Sequence, residues 1–560
     1  MSRTAFLTLL LIAIVASTPA TALTVNESQK LFAVDGVARD YFGYAVAISG
    51  DIAVVGAFAD DLDLRDAGAV YVFDRVDGDW VQQATLRPDD PVQDHYFGWS
   101  VAVDGETIVV GAPGDRWLSW DTGSAYVFTR SHDLWIQEAK LIAADAQPRA
   151  EFGSSVAISG DTVLIGTPLA HVFEPELMTN QGAVYAFSRS AGEWTQQAKL
   201  LASDGTRGDE FGTSVAMEGD TAVIGAPLDD APHASGSAYV FSRSTGVWEQ
   251  QAKLRATFPV EQDFFGDSVS LSGDTVIVGA PFLHGMKSDT GSAYVFTKSQ
   301  GVWARKAKLV PSDADLRANF GCSVAISGDT AVIGARFDDN FRYDTGSAYA
   351  FTRSSDVWTE QAKLLSSYLP EHSELGQSVA LDGDTAVVGA PGLFAGALYS
   401  GSAYVYTVGE YRTIVLDVKP GGSQNPINPD SYGVIPVAIM GSQDFDVTSV
   451  DRASLRFGPR FAQTAHNLTE SFTYDDHLED LNLDGFTDLM THYRVREVGI
   501  TCRDESLTLI AMTVDRQLLV GTDSITTRPC RWFRSPAIWM LNEEPDARSR
   551  QDGPVNIDRK

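Results

Sequence analysis

Between Phe42 and Tyr406 the chain repeats one pattern of apolar and polar positions. Each unit opens on a run such as Phe320 to Ile326, turns through a Ser-Gly-Asp, and continues as a run such as Thr330 to Ala335. Both runs carry small and β-branched residues on both faces, the composition of strands that are covered on both sides. A third run, Gly-Ser-Ala-Tyr-Val-Phe at Gly123 to Phe128 and its equivalents, also lacks a polar side. The fourth alternates: Trp194, Gln196, Ala198 and Leu200 share one face, and Thr195, Gln197 and Lys199 the other. Its Gln and Lys residues predict an outer edge, where charge discourages the addition of another strand.

The unit recurs. Phe-Gly stands at Phe42, Phe97, Phe152, Phe211, Phe265 and Phe320, and Leu375-Gly376 is a seventh, weakened copy, with spacings of 54 to 59 residues. Thirteen residues after each of these glycines comes another, at Gly56, Gly111, Gly166, Gly225, Gly279, Gly334 and Gly389. Four-stranded units with two apolar faces bury them by packing face to face around a channel, which predicts a seven-bladed β-propeller. Six units carry the fourth strand at Trp80, Trp135, Trp194, Trp248, Trp303 and Trp358, whereas the seventh runs out near Tyr406. Val25 to Leu31 precedes Phe42 by the spacing that separates Leu141 from Phe152, so the N-terminal segment is expected to supply the missing strand. The predicted fold is all-β: a seven-bladed propeller over residues 23–408 closed by its N-terminal strand, a smaller β-sandwich-like domain over 412–527, and an unassigned tail at 528–560.

The Phe-Gly and Gly-Ala-Pro pattern over residues 25–407 resembles the FG-GAP repeat of integrin α-subunit propellers, in the compact form found in secreted bacterial proteins. The resemblance implies that the loops joining second to third strands and the crossovers between units share one rim, and that this rim takes ligands. The second unit is the most distinctive there. Asp115, Trp117, Trp120 and Asp121 lie in one loop, and His95, Tyr96 and Trp99 flank the crossover. Aromatic faces beside hydrogen-bonding groups suit a sugar or a protein; packing in the channel or between blades is the alternative. Integrin-type blades often carry a calcium loop between the first and second strands. Here that connection is as short as Ser159-Gly160-Asp161, too little to wrap a cation that wants six to eight oxygens. Arg207-Gly208-Asp209 lies in a crossover where Asp40 and Asp263 occupy the place of Asp209, and reads as local structure rather than a recognition motif.

Beyond Tyr406 the repeat stops. Strand-like runs at Ile414 to Val418 and Gly433 to Ile439 are separated by turn clusters such as Asn425 to Pro429. Their order resembles an uncharacterised C-terminal module of secreted bacterial proteins. Within it, Asp480, Asn482, Asp484 and Asp488 place oxygens at positions 1, 3, 5 and 9 of a loop, with Gly485 at the sixth for the sharp turn and the Phe486 carbonyl at the seventh. This is the ligand pattern of a calcium loop. Thr491 stands where a helix-loop-helix hand has its bidentate Glu, so an integrin-like or dockerin-like loop is expected. An Asp-rich turn that binds nothing is the alternative.

Composition limits the partners. The chain has 560 residues, 44% of them hydrophobic and only 3 Cys, enough for a large core without disulfides. Lys+Arg 42 against Asp+Glu 74 gives a net charge of -32, which repels nucleic acids and anionic membranes. The apolar run from Ala5 to Ala16 is shorter than the roughly 20 residues of a membrane span, and Ala20-Thr21-Ala22 is a small-residue cleavage pattern. Residues 1–22 are therefore expected to be an export signal, and the mature chain a monomer, secreted or at the cell surface in an extracellular or periplasmic space, with no transmembrane segment. No Gly-x-Ser-x-Gly elbow, His-Glu-x-x-His or phosphate-binding Gly-rich loop is present. The expectation is a non-catalytic protein that presents its rim to an extracellular protein or polysaccharide. A glycan hydrolase or lyase at the channel mouth, or a structural surface component, are the alternatives.

Overall fold

The computed structural model describes residues 23–527 except 62–63, 118–119, 172–179, 230–234, 257–262, 282–289, 314–316, 340–343, 367–369, 393–399, 410, 422–424, 459–461, 466–477, 502–503, 505 and 515–517. The export signal and the tail expected from the sequence lie outside these residues. The chain divides between Thr413 and Ile414 into two compact units, with a short return of residues 512–519 to the first.

The first unit is built from seven sheets, antiparallel except for one added N-terminal strand, the arrangement of a seven-bladed propeller. The first sheet is formed by Ala45–Ser49, Ile52–Ala57, Ala69–Val76 and Asp79–Leu86 in chain order from one edge to the other. The burial follows the sequence pattern. Thr107–Ala112 is buried throughout, as are the first five residues of Ser124–Ser131. The fourth strand Val247–Leu254 alternates, with Trp248 and Leu254 inside and Val247 and Glu249 exposed.

The Phe-Gly and the later glycine explain each other. Gly43 N–H donates to the Gly56 carbonyl at 3.0 Å, and the bond recurs from Gly98 to Gly111, Gly153 to Gly166 and Gly212 to Gly225. The constant offset of thirteen residues is thus a ladder bond inside each sheet. Each Phe is buried against its own third strand: Phe42 meets Tyr71 at 5.4 Å and Phe73 at 6.1 Å, edge-on, and the same pair of contacts surrounds Phe97 and Phe211. The second glycine faces the next sheet, where a Cβ on Gly56 would stand 2.1 Å from the Gly98 carbonyl oxygen. Ser100, Ser155, Ser214, Ser268 and Ser323 Oγ each donate to the Phe-Gly or Leu-Gly glycine carbonyl of the following sheet at 2.8 to 2.9 Å. The series returns to its start, because Ser378 Oγ donates to the Gly43 carbonyl at 2.9 Å.

The N-terminal segment differs from its expected form. A single strand from Val25 to Leu31 in the last sheet is expected from spacing, but the segment is split. Leu23–Asn26 runs parallel to Val357–Leu365 of the sixth sheet, and only Gln29–Leu31 pairs with Ser402–Thr407 of the seventh. The break falls where Ser28 N–H and Oγ both donate to the Val405 carbonyl, at 2.8 and 2.9 Å. Within Gln29–Leu31 the register is that of the other fourth strands: Leu31 opposes Ala403 as Leu254 opposes Ala238. Three residues on, Val34 N–H donates to Gln82 Oε1, as Asp89 does to Gln137 and Ala144 to Gln196.

The second unit contains one sheet of Val415–Val418, Val434–Met440, Asp488–Arg494 and Leu478–Glu479, and strands Val450–Phe457 and Ser506–Thr513 of another. Its core includes Leu416, Ile435, Val437, Ile439, Leu489 and Tyr493.

Candidate functional site

The first strands of the seven sheets are neighbours around the centre of the first unit, each packed against the first strand of the next sheet. A tight turn leads into each. Tyr44 N–H donates to the Tyr41 carbonyl, Trp99 to Tyr96, Ser154 to Glu151, Thr213 to Glu210, Asp267 to Phe264, Cys322 to Asn319 and Gln377 to Glu374, all at 3.0 to 3.2 Å. The residue before each Phe or Leu has φ between 51° and 62°, a left-handed conformation held by this bond. The fold therefore sets seven equivalent pairs of side chains at one level around the channel mouth, and their chemistry is unequal.

The first two sheets supply an aromatic arc. Trp99 lies 4.7 Å from Tyr44 and 5.1 Å from Phe58, ring to ring, and Phe58 also meets Tyr41 at 5.2 Å and Tyr96 at 5.8 Å. All five rings remain half-buried. The other sheets supply an acidic arc of Glu151, Glu210, Asp267 and Glu374. Burial pushes the Asp267 carboxyl up to about 6 against the pull of Arg336. Burial likewise raises Glu374 to about 7, with Arg336 and His372 opposing and Asp344 adding to the rise. Glu210 is raised by burial and by Glu151 and Asp267. The two arcs share one space: burial raises the Tyr44 hydroxyl to about 12, and Arg336, Glu374 and Asp267 all act on it. Tyr44 and Asp267 touch solvent yet are enclosed by protein, as side chains in a concave site are.

Of the residues expected to bind, Trp99 belongs to this mouth. Asp115 does not offer its side chain to solvent. It is 3% exposed, paired with Lys140 Nζ at 2.7 Å and facing His95 Nε2 at 3.6 Å. Burial alone would raise it, but the bonds from His95 and Lys140 outweigh that and hold the carboxyl well below the usual range. A loop aspartate beside two tryptophans reads as a ligand in sequence; here the fourth-strand Lys140 claims it. The backbone pairs Trp117 with Trp120 and Arg116 with Asp121 in a small antiparallel ribbon. The mouth residues missed by sequence reasoning are Glu151, Glu210, Asp267, Glu374 and Arg336. Superposing the repeats would have found them, since Arg336 stands where Pro113, Pro227, Pro281 and Pro391 stand in other units.

The Arg-Gly-Asp tripeptide is structural at its acidic end. Asp209 has no exposed surface and accepts from Thr206 N–H at 2.5 Å and Thr206 Oγ1 at 2.8 Å. Asp40, its equivalent, accepts from Val37 N–H at 2.6 Å. Burial raises the Asp40 carboxyl to about 7; the Val37 bond opposes this and Asp60, Asp61 and Asp35 add to it. A carboxyl whose folded-state pKa is raised binds protons in preference on folding, so its contribution to stability worsens as pH climbs from about 4 to about 7. Asp40→Asn keeps an acceptor for Val37 and loses that charge. It should melt close to wild type at pH 4 and be more stable by about 1–3 kcal/mol at pH 8, read by calorimetry.

In the second unit the acidic loop is closed by its own amides. Asp480 accepts from Asp484 and Gly485 N–H, Asn482 Oδ1 from Asp484 N–H, and Asp484 from Phe486 N–H, at 2.9 to 3.0 Å. Asp488 is buried and accepts from Gly441 and Leu481 N–H at 2.8 and 2.9 Å. Thr491 lies inside Asp488–Arg494, donating to the Val437 carbonyl, so the loop enters a strand rather than a helix. Asp480, Asn482 and Asp484 lie at the surface. Their oxygens and the Phe486 carbonyl are the hard donors that calcium prefers. Among the described residues, no three acidic, His or Cys side chains are gathered as a ready-made metal cluster.

Comparison with known proteins agrees with the repeat geometry. The FG-GAP repeat model matches residues 25–73, 80–128, 135–187, 194–241, 248–296, 303–351 and 358–406. Integrin alpha-2 of Mus musculus is 24% identical over 281 residues, covering 44% of this chain and 23% of its own length. The chain thus spans less than a quarter of that relative. With seven consecutive matches in step with its seven sheets, the chain belongs to the FG-GAP repeat family.

Proposed function

We propose that this protein is a secreted, non-catalytic binding or adhesion protein that presents its propeller rim to an extracellular protein or polysaccharide. The observation that carries the reading is the half-buried aromatic arc of Tyr41, Tyr44, Phe58, Tyr96 and Trp99 on the turns at the channel mouth. Aromatic rings left partly open on a rigid frame are what binding sites are made of. The similarity to an integrin α chain supports an extracellular binding role. In this reading Gln29–Leu31 closes the ring by completing the seventh sheet, and the strands after Thr413 form a sandwich-like domain over 412–527. The test is a panel of immobilised glycans and extracellular matrix proteins probed with wild type and with Tyr96→Ala, Trp99→Ala. The double variant should keep its melting temperature within a few degrees and lose at least about tenfold in affinity, since anchors of this kind carry about 2 kcal/mol or more. Release of product from any glycan would sink the non-catalytic reading.

The loop at Asp480, Asn482, Asp484, Phe486 and Asp488 is read as a calcium site that stabilises the C-terminal domain. Calcium at about a hundred times its dissociation constant should add about 2.7 kcal/mol of stability. Chelation should remove that gain, and Asp480→Ala, Asp484→Ala should abolish it. A gain that persists in the double variant would place the site elsewhere.

A further inference from the structure

Around the channel mouth the side chains sort by chemistry, and the sorting continues past the aromatic arc. Ser100 Oγ donates to the Gly153 carbonyl and Ser155 Oγ to the Gly212 carbonyl, both at 2.8 Å, so the turns of the third and fourth sheets follow directly on that of Trp99. Where the first two sheets place Tyr41, Tyr44, Tyr96 and Trp99, these two place Glu151, Ser154, Glu210 and Thr213, all partly exposed. The two hydroxyl protons are already committed. Ser154 Oγ donates to the Glu151 carbonyl and Thr213 Oγ1 to the Glu210 carbonyl, each at 2.8 Å. Toward solvent, the side chains of this stretch therefore offer hydrogen-bond acceptors and no donor. The groups acting on the Glu210 carboxyl besides burial are themselves carboxyls, Glu151 and Asp267, and no cation opposes them.

Ring faces beside a row of acceptors fit a ligand that has an apolar face and an edge of donors. A sugar ring has that form, with C–H groups on its face and hydroxyls around its rim. The acceptors are strung along two turns, which suits several hydroxyls; among the described residues no three acidic side chains gather as a metal ion would require. An acidic sugar is refused by the same groups. A uronate or sulfate would face Glu151, Glu210 and Asp267 on a chain of net charge -32. We propose that the channel mouth binds a neutral glycan, with one sugar ring lying on Trp99 and Tyr96 and its hydroxyls donating to Glu151, Glu210, Ser154 and Thr213. The proposal rests on the reading of this rim as a binding surface and names the ligand class it selects.

A glycan array tests it, printed with neutral oligosaccharides, with uronate- and sulfate-bearing ones, and with chitotetraose beside its deacetylated, cationic form. Wild type should retain neutral glycans and reject the anionic ones. Calorimetric titration with a retained neutral glycan should show binding weakened at least about tenfold in Trp99→Ala. In Glu210→Ala the loss should be about three- to tenfold. Glu210 is half-exposed at a turn, so its variant reads the site even where loss of Trp99 costs the fold, which the melting temperature of each variant reports. Retention of charged glycans alone would overturn the proposal, as would neutral binding that neither variant weakens. If no glycan is retained while a matrix protein binds through Trp99, the proposal falls and the broader binding role stands. If neither glycan nor matrix protein binds, both fall.

Discussion

Removing residues 23–31 should lower the melting temperature by more than about 10 °C and convert a monodisperse protein into aggregates. Leu31 and Val25 are buried, at 1% and 5% exposure, and the truncated chain forfeits their burial and uncovers the core residues beside Leu31, Ala403 and Val405 among them. Each such side chain is worth about 1.5–3 kcal/mol. The cut also removes the Gln29 side chain, which donates to the Trp80 carbonyl and accepts from the Trp80 N–H, both at 2.7 Å, and so ties the two ends of the repeat array together. A further effect is on association. Ser402–Thr407 would become an uncovered edge strand carrying Tyr404 and Val405, a template for pairing with another chain. Against a total stability of about 5–15 kcal/mol, the combined loss is a large fraction. Calorimetry and light scattering on the two forms check it. An unchanged melt would mean that the segment is ornamental.

The second large effect is expected from one methyl group. Gly225→Ala should abolish accumulation of soluble protein or lower the melt by more than about 10 °C. The added Cβ would lie 1.9 Å from the Gly266 carbonyl oxygen of the next sheet and 2.4 Å from Ser214 Oγ. The nearest obstacle is backbone in a packed sheet, so relief requires two sheets to part and costs about 3 kcal/mol or more. Gly225 is not in the left-handed region, so alanine suits its backbone and the cost is steric alone. Gly273→Ala is the matched control. It has φ +54° in an exposed hairpin turn with nothing within 4 Å of the new Cβ, and should cost about 1 kcal/mol of backbone strain. Equal melts for the two variants would show that the sheets do not approach through their glycines.

Much of the first unit was legible because the repeat constrains it. The offset of thirteen residues, visible in the sequence, is the Gly–Gly ladder bond, and the apolar second and third strands are those with no solvent face. The division of the N-terminal segment at Ser28 was not legible. It depends on the outer strand of the sixth sheet, which lies more than three hundred residues away and accepts Leu23–Asn26 in parallel. The channel mouth was half legible. Trp99 stands out in a sequence, whereas Glu374, Asp267 and Arg336 become a group only once the ring places distant turns at one level. The pairing of Asp115 with Lys140 was not legible either, since it depends on a strand pairing that local spacing does not reveal.

In the proposed reading, Gln29–Leu31 beside Ser402–Thr407 is the pairing that completes the seventh sheet and closes the ring. Gln29 and Val405 are directly opposed across the pair. In a chain with Cys322, Cys502 and Cys530 changed to Ser, Gln29→Cys and Val405→Cys should form a disulfide under mild oxidation, identified by non-reducing peptide mapping. Folded protein in which the two introduced thiols stay free, or bond only between molecules, would contradict the ring.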